Sequence, residues 1–161
     1  MRSRFIVAIV GALLAATALG GAVLATPASG VTSTTLATGN LDDQNFVVKN
    51  GEWVVQLRTK GETSMTVTEN RVAAGGAFGW HSHPGPSLVV VKSGSVTFYR
   101  ADDPTCTGVV HTVGDAYIDP GSVTHIARNE TTEELVLIVT RFAPPGVPTR
   151  IDQPDPGTCP F

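Results

Sequence analysis

Charged residues are scarce in this chain: Asp, Glu, Lys and Arg make up 16% of its 161 residues. Long surface helices need many charged, helix-forming residues and few breakers, yet the chain holds 17 glycines and 11 prolines. The composition therefore argues against a helical bundle. A basic excess is also lacking, with 11 Lys and Arg against 14 Asp and Glu and a formal charge of -3. Nucleic-acid binders neutralise phosphates with a basic patch, so no nucleic-acid partner is expected. Cysteine is rare, with only 2 in the chain. Neither has a second Cys or a His at finger-like spacing, which disfavours a Cys-ligated metal site. There is no glycine-rich phosphate loop and no Gly-x-Ser-x-Gly segment of a serine hydrolase.

What is present begins with an export signal. Arg2 and Arg4 precede an apolar run from Phe5 to Leu19, followed by small residues with cleavage options after Ala25, Ala28 or Gly30. This is the three-part order of a secretory signal, here assigned to residues 1–28. If the run continues to Leu24 and stays uncleaved, it is long enough for a membrane anchor. That is the one route by which a membrane would be a partner. A secreted or extracytoplasmic chain meets an oxidising environment, and the even count then fits a Cys106–Cys159 disulfide. The alternative is a pair of free thiols.

After the signal, residues 29–45 are rich in Thr, Ser, Asn and Asp and read as a linker or an irregular first strand. From Phe46 the texture changes. Glu52–Arg58, Ser64–Thr68, Leu88–Val91, Ser95–Tyr99, Val109–Val113, Val123–Ala127 and Leu135–Val139 are short β-type runs. Turn signals separate them, among them Gly75-Gly76, Pro84-Gly85-Pro86, Ser93-Gly94 and Pro120-Gly121. Many short strands with Gly/Pro turns predict an all-β sandwich or jelly roll over residues 46–143. Residues 144–161 carry repeated prolines and read as an extended tail laid over the domain and pinned by the disulfide.

The chemistry lies in the histidines. His81 and His83 are two apart, so on a strand both imidazoles share a face and can meet one ion. Gly75 stands before this pair and Gly94 after it. Further on come Gly114, Pro120, His125 and Asn129. Together these positions resemble the two motifs of the cupin superfamily, over Gly75 to Asn129. The resemblance implies a single conical jelly-roll β-barrel. It also implies that His81, His83 and His125 converge inside it on a divalent transition metal. There are two departures from the motifs. Ser87 stands where the family has a ligating Glu, and Ser122 replaces the Gly of Pro-x-Gly, where Gly121 is a neighbouring substitute. Three neutral imidazoles suit Zn, Cu, Ni or Fe, whereas an added carboxylate favours Mn or Fe.

Other residues are assigned by parity. Trp80 alternates with His81 and should face away from the metal as packing. Phe98 and Tyr99 have opposite parity, so one of them faces the interior. His111 reads as a surface or packing residue, and Asn129 as a turn residue whose sequon is coincidental. Asp115 and Asp119 are the acids nearest the second motif, with their direction left open. No catalytic acid or base is identified. The expectation is a metal-dependent oxidoreductase of dioxygenase type, or an isomerase, acting on a small-molecule substrate. The alternative is a non-catalytic module that binds a small ligand or a metal. The signal predicts a mature N-terminus between Thr26 and Val31. Mass spectrometry of secreted protein should show it, and an intact Met1 there would point to an anchor instead.

Overall fold

A computed structural model describes residues 24–161. Residues 1–23, which carry most of the expected signal and the possible membrane anchor, lie outside the described residues. Among the described residues every regular element is a strand. In chain order these are β1 (Ser29–Leu41), β2 (Asn45–Asn50), β3 (Trp53–Arg58), β4 (Thr63–Ala77), β5 (His81–Ser82) and β6 (Ser87–Ser93). They continue with β7 (Ser95–Arg100), β8 (Val109–Thr112), β9 (Ala116–Asp119), β10 (His125–Arg128), β11 (Leu135–Ala143) and β12 (Ile151–Asp152). All the strand pairings are antiparallel. One large sheet runs β12-β5-β10-β4-β11-β6-β9, with β1 added on β4 and β7 linking β10 to β8. It curls into a nearly closed barrel.

The polar Ser/Thr-rich stretch from Ser29 to Leu41 is a long strand rather than a linker. β1 pairs with β4 from Ser29↔Ala77 to Leu41↔Thr63. Period-two hydrophobicity is weak there because most of its side chains are exposed. Its backbone bonds, not its side chains, hold it in place. The Gly75-Gly76 pair does not end β4 either. Gly75 has φ 70°, and a Cβ on Gly76 would lie 2.8 Å from Val72 Cγ1 and 2.9 Å from the Ser29 carbonyl. Glycine here lets the strand kink and keep pairing. The β2–β3 hairpin forms a separate two-stranded sheet, although Phe46 begins the expected barrel.

The core follows from strand alternation. In β6, Ser87, Val89 and Val91 are buried, while Leu88, Val90 and Lys92 face out. β11 runs between β4 and β6, and its Leu135, Leu137 and Val139 are buried with Val72, Val89, Val91 and Val96. A second cluster holds Ala77, Trp80, Ile126 and Cys159, with Tyr99 packed against it. Trp80 is therefore packing, as its parity predicts, and it stacks on Phe161.

The proline-rich tail is tied down at several points. β12 pairs with β5, Gln153 N donates to the Trp80 carbonyl at 2.9 Å, and Ala25 bridges to Pro154. Thr26 lies beside this tail, where its hydroxyl accepts a 2.6 Å bond from Trp80 N. Cleavage before Thr26 would leave that bond intact. Cys106 and Cys159 form a disulfide across a sequence separation of 53. In a chain-entropy description, closing such a loop stabilises the fold by about 4 kcal/mol. Cys159→Ser should therefore melt well below the oxidised wild type in a thermal scan. Equal melting of the two would show that the bridge contributes nothing.

Candidate metal centre

Three short segments bring the histidines together. His81 opens β5 and lies opposite His125 at the start of β10. His83 follows β5, where its backbone N donates to the Gly121 carbonyl at 2.8 Å. Gly121 has φ 88°, and a Cβ there would lie 2.3 Å from the Gly85 carbonyl oxygen. Gly121 thus makes the turn that the motif departure at Ser122 left in question. One ligand atom from each of His81, His83 and His125 lies within 4.8 Å of the others, and all three residues are buried.

The ring orientations are set by backbone carbonyls. His81 Nδ1 meets the Gly79 carbonyl at 2.8 Å, His125 Nδ1 the Val123 carbonyl at 2.8 Å and His83 Nδ1 the Thr149 carbonyl at 2.6 Å. A carbonyl can only accept, so each Nδ1 carries the proton. Each neutral ring then turns an Nε2 lone pair toward the shared centre, the tautomer a metal ligand requires. Thr149 belongs to the proline-rich tail, so the tail orients one of the three rings.

Asp119 joins them from the end of β9. Its Oδ2 lies 3.1 Å from His125 Nε2 and 3.4 Å from His83 Nε2, and the residue is 4% exposed. Asp115 instead caps a turn, its carboxylate accepting from Thr112 N at 2.7 Å. Ser87 is buried and lines the same cavity as His81, His83 and Asp119, on the face the motif register assigns it. Phe98 is the inward member of its pair, with its ring centroid 4.9 Å from that of His125. His111 stacks on Tyr117 at 4.1 Å, outside the three-histidine group. Asn129 is a turn residue. Its Nδ2 donates to the Val72, Ala73 and Glu133 carbonyls and its Oδ1 accepts from Thr131, so the sequon nitrogen is buried.

Residues 68–141 match the family model of the cupin domain. This segment is a cupin domain. Several solved structures are similar, and the first of these agrees on the fold. The polyketide cyclase RemF from Streptomyces resistomycificus matches with 18% identity and TM-score 0.53, over 81% of this chain and 76% of that one. A cupin domain from Bordetella pertussis Tohama I matches with 22% identity and TM-score 0.47, over 74% and 97% of the two chains. A cupin superfamily protein from Desulfitobacterium hafniense DCB-2 matches with 12% identity and TM-score 0.48, over 70% and 77%. No curated protein matches the chain. In this cupin the motif histidines are clustered, and the acid beside them comes from a different strand than the motif Glu.

Burial lowers the histidine pKa values below the ordinary 6.5. His81 falls to about 2 and His83 to about 4, and His125 is lowered as well. Desolvation is the largest cause in each case. The Asp119 carboxylate pulls His83 and His125 the other way but does not overcome it. Near neutral pH the rings are therefore free to act as ligands. A histidine with a depressed folded pKa stabilises the protein fully above its unfolded value. That contribution is lost as pH falls from about 6.5 toward about 4, because the unfolded chain takes up protons first. With a chelator present, the denaturation midpoint should drop between pH 7 and pH 5, as the unfolding free energy falls by up to about 1.4 kcal/mol per pH unit for each histidine. A midpoint that stays flat over this range would contradict the buried neutral cluster.

Proposed function

We propose that this cupin binds one divalent transition metal through His81, His83 and His125, with Asp119 as the carboxylate of the set. The observation that carries the reading is the convergence of three Nε2 lone pairs whose Nδ1 protons are all engaged by carbonyls. Facing lone pairs on nitrogen and on a carboxylate oxygen repel unless a cation lies between them. The spacing of Asp119 from His83 and His125 suits such a cation. Two ligand atoms about 2.1 Å from one ion, at angles of about 90–110°, lie about 3.0–3.4 Å apart. The Asp119 contacts of 3.1 and 3.4 Å match that separation. A carboxylate among imidazoles brings Mn and Fe back among the candidates, beside Zn, Ni and Cu.

A transition metal held this way supplies redox chemistry or polarises a bound carbonyl. The chain's own residues exclude bulk water and keep the rings in one tautomer. The proposed activity is that of a metal-dependent oxidoreductase or isomerase on a small molecule. Export of the protein is part of the proposal, and the Cys106–Cys159 disulfide supports it.

Metal titration of purified, tag-free protein tests the assignment. His81→Ala, His83→Ala and His125→Ala should each weaken binding strongly. Asp119→Asn, which keeps the shape but removes the charge, should weaken Mn or Co binding by about tenfold or more. His111→Ala should bind as wild type does. Wild-type protein that holds no more metal than a variant lacking all three histidines would sink the reading.

A further inference from the structure

The cavity beside the histidines has more hydrogen-bond donors than the protein uses. Strand register places Arg141 of β11, Ser87 of β6 and Asp119 of β9 in one row, as Arg141↔Ser87 and Ser87↔Asp119 are direct partners. Residues directly opposite share a face of the sheet, and all three line the cavity together with Asn70 of β4. Ser87 Oγ, Asn70 Nδ2 and Arg141 Nε are buried and have no hydrogen-bond partner among the described residues. Ser87 is 2% exposed and Asn70 is 1% exposed. The Ser33 hydroxyl donates to Asn70 Oδ1 at 2.6 Å, which leaves the amide's two N–H groups for the cavity. Arg141 is anchored at one end only, where Nη1 donates to Thr68 Oγ1 at 3.1 Å. It takes part in no ion pair among the described residues.

An unpaired, largely buried guanidinium is costly, and so is each buried donor left without an acceptor. Asp119 does not satisfy them, because its Oδ2 faces the histidines and its Oδ1 accepts from Gly121 N at 2.8 Å. Donors of this kind suit an acceptor that is small and negatively charged. The space at the row is about 30 Å³. It adjoins a cleft of about 230 Å³ that shares Asn70, Phe78, His83 and Arg141 with it.

We propose that Arg141, Ser87 and Asn70 form a subsite for the carboxylate of a small organic acid, held next to the histidine cluster. Charge-assisted bonds from Arg141 and a bond from the Ser87 hydroxyl fix the carboxylate plane. The rest of the acid extends into the larger cleft. On this view Ser87 is not simply a lost ligand. A Glu at position 87 would put a second carboxylate into the row and repel the acid. The position of the subsite beside a metal rests on the metal assignment above, whereas its charge preference does not.

Calorimetric titration of the mature chain with acetate, acetamide and phosphate at constant ionic strength tests this, on both metal-loaded and chelator-treated protein. Acetate should bind, with acetamide weaker by about tenfold or more because it lacks the charge, and phosphate weaker because the space at the row is only about 30 Å³. Arg141→Met should weaken acetate by about tenfold or more, Ser87→Ala should weaken it less, and Arg141→Lys should restore part of the loss. Metal content should be unchanged in all three variants. Equal binding of acetate and acetamide, or equal acetate binding by wild type and Arg141→Met, would overturn the subsite and show that water satisfies the donors. A preference for phosphate would overturn the carboxylate assignment. Failure of the wild type to take up metal would sink the metal reading alone, since the chelator-treated titration still reports on the subsite.

Discussion

Three carbonyl oxygens decide the character of this barrel's interior. By accepting the Nδ1 protons of His81, His83 and His125 from Gly79, Thr149 and Val123, they force three lone pairs into one small volume. An imidazole without such a partner could rotate or change tautomer. Two of the carbonyls lie two residues before the ring they hold, so a tight local turn suffices. The third lies 66 positions away in the tail. The His83 ring therefore depends on how the last segment of the chain is laid down. That segment is held by β12 on β5, by Gln153 on Trp80 and by the Cys106–Cys159 bridge. A disulfide remote in sequence from the histidines is thereby part of the support for one of them.

The polar row across β11, β6 and β9 sets a carboxylate beside the histidines although the motif position itself carries Ser87. Ser87 occupies the motif position and faces inward, but its side chain is too short and neutral to ligate. Asp119, its partner across the β6–β9 ladder, puts a carboxylate against two of the histidines. Directly paired residues in an antiparallel sheet have Cβ atoms about 5 Å apart. A carboxylate on the neighbouring strand can thus reach the same centre. A hydroxyl and a guanidinium line the space beside it, so this part of the interior offers donors.

Some of this was legible in the sequence. The all-β class followed from scarce charge, abundant Gly and Pro, and short β-branched runs. His81 and His83 paired by their two-residue spacing, and His125 joined them through the resemblance to the cupin motifs. The inward position of Ser87 followed from the motif register, and the burial of Trp80 from its alternation with His81. Each rests on a local rule, strand parity or motif spacing, that operates over a few residues. Where no apolar pattern existed, the reading was weaker. β1 carries mainly exposed polar side chains, and only its long backbone ladder with β4 makes it a strand.

Tertiary structure decided what depends on distant partners. Parity says that one of Phe98 and Tyr99 faces inward, but the pairing of β7 with β10 and β8 makes it Phe98. Asp115 and Asp119 look alike in sequence. The first caps a turn, while the second faces the histidines, because β9 pairs with β6 in the register that sets Asp119 opposite Ser87. Arg141 reads as an ordinary charge near the end of an apolar run, yet β11 is flanked by β4 and β6 and holds it inside the barrel. Residue types and short spacings are written along the chain, so the sequence by itself determined the fold class and the metal-ligand candidates. Which acid, which cation and which carbonyl meet those candidates depends on contacts between segments far apart in the chain, and only the closed sheet brings those together.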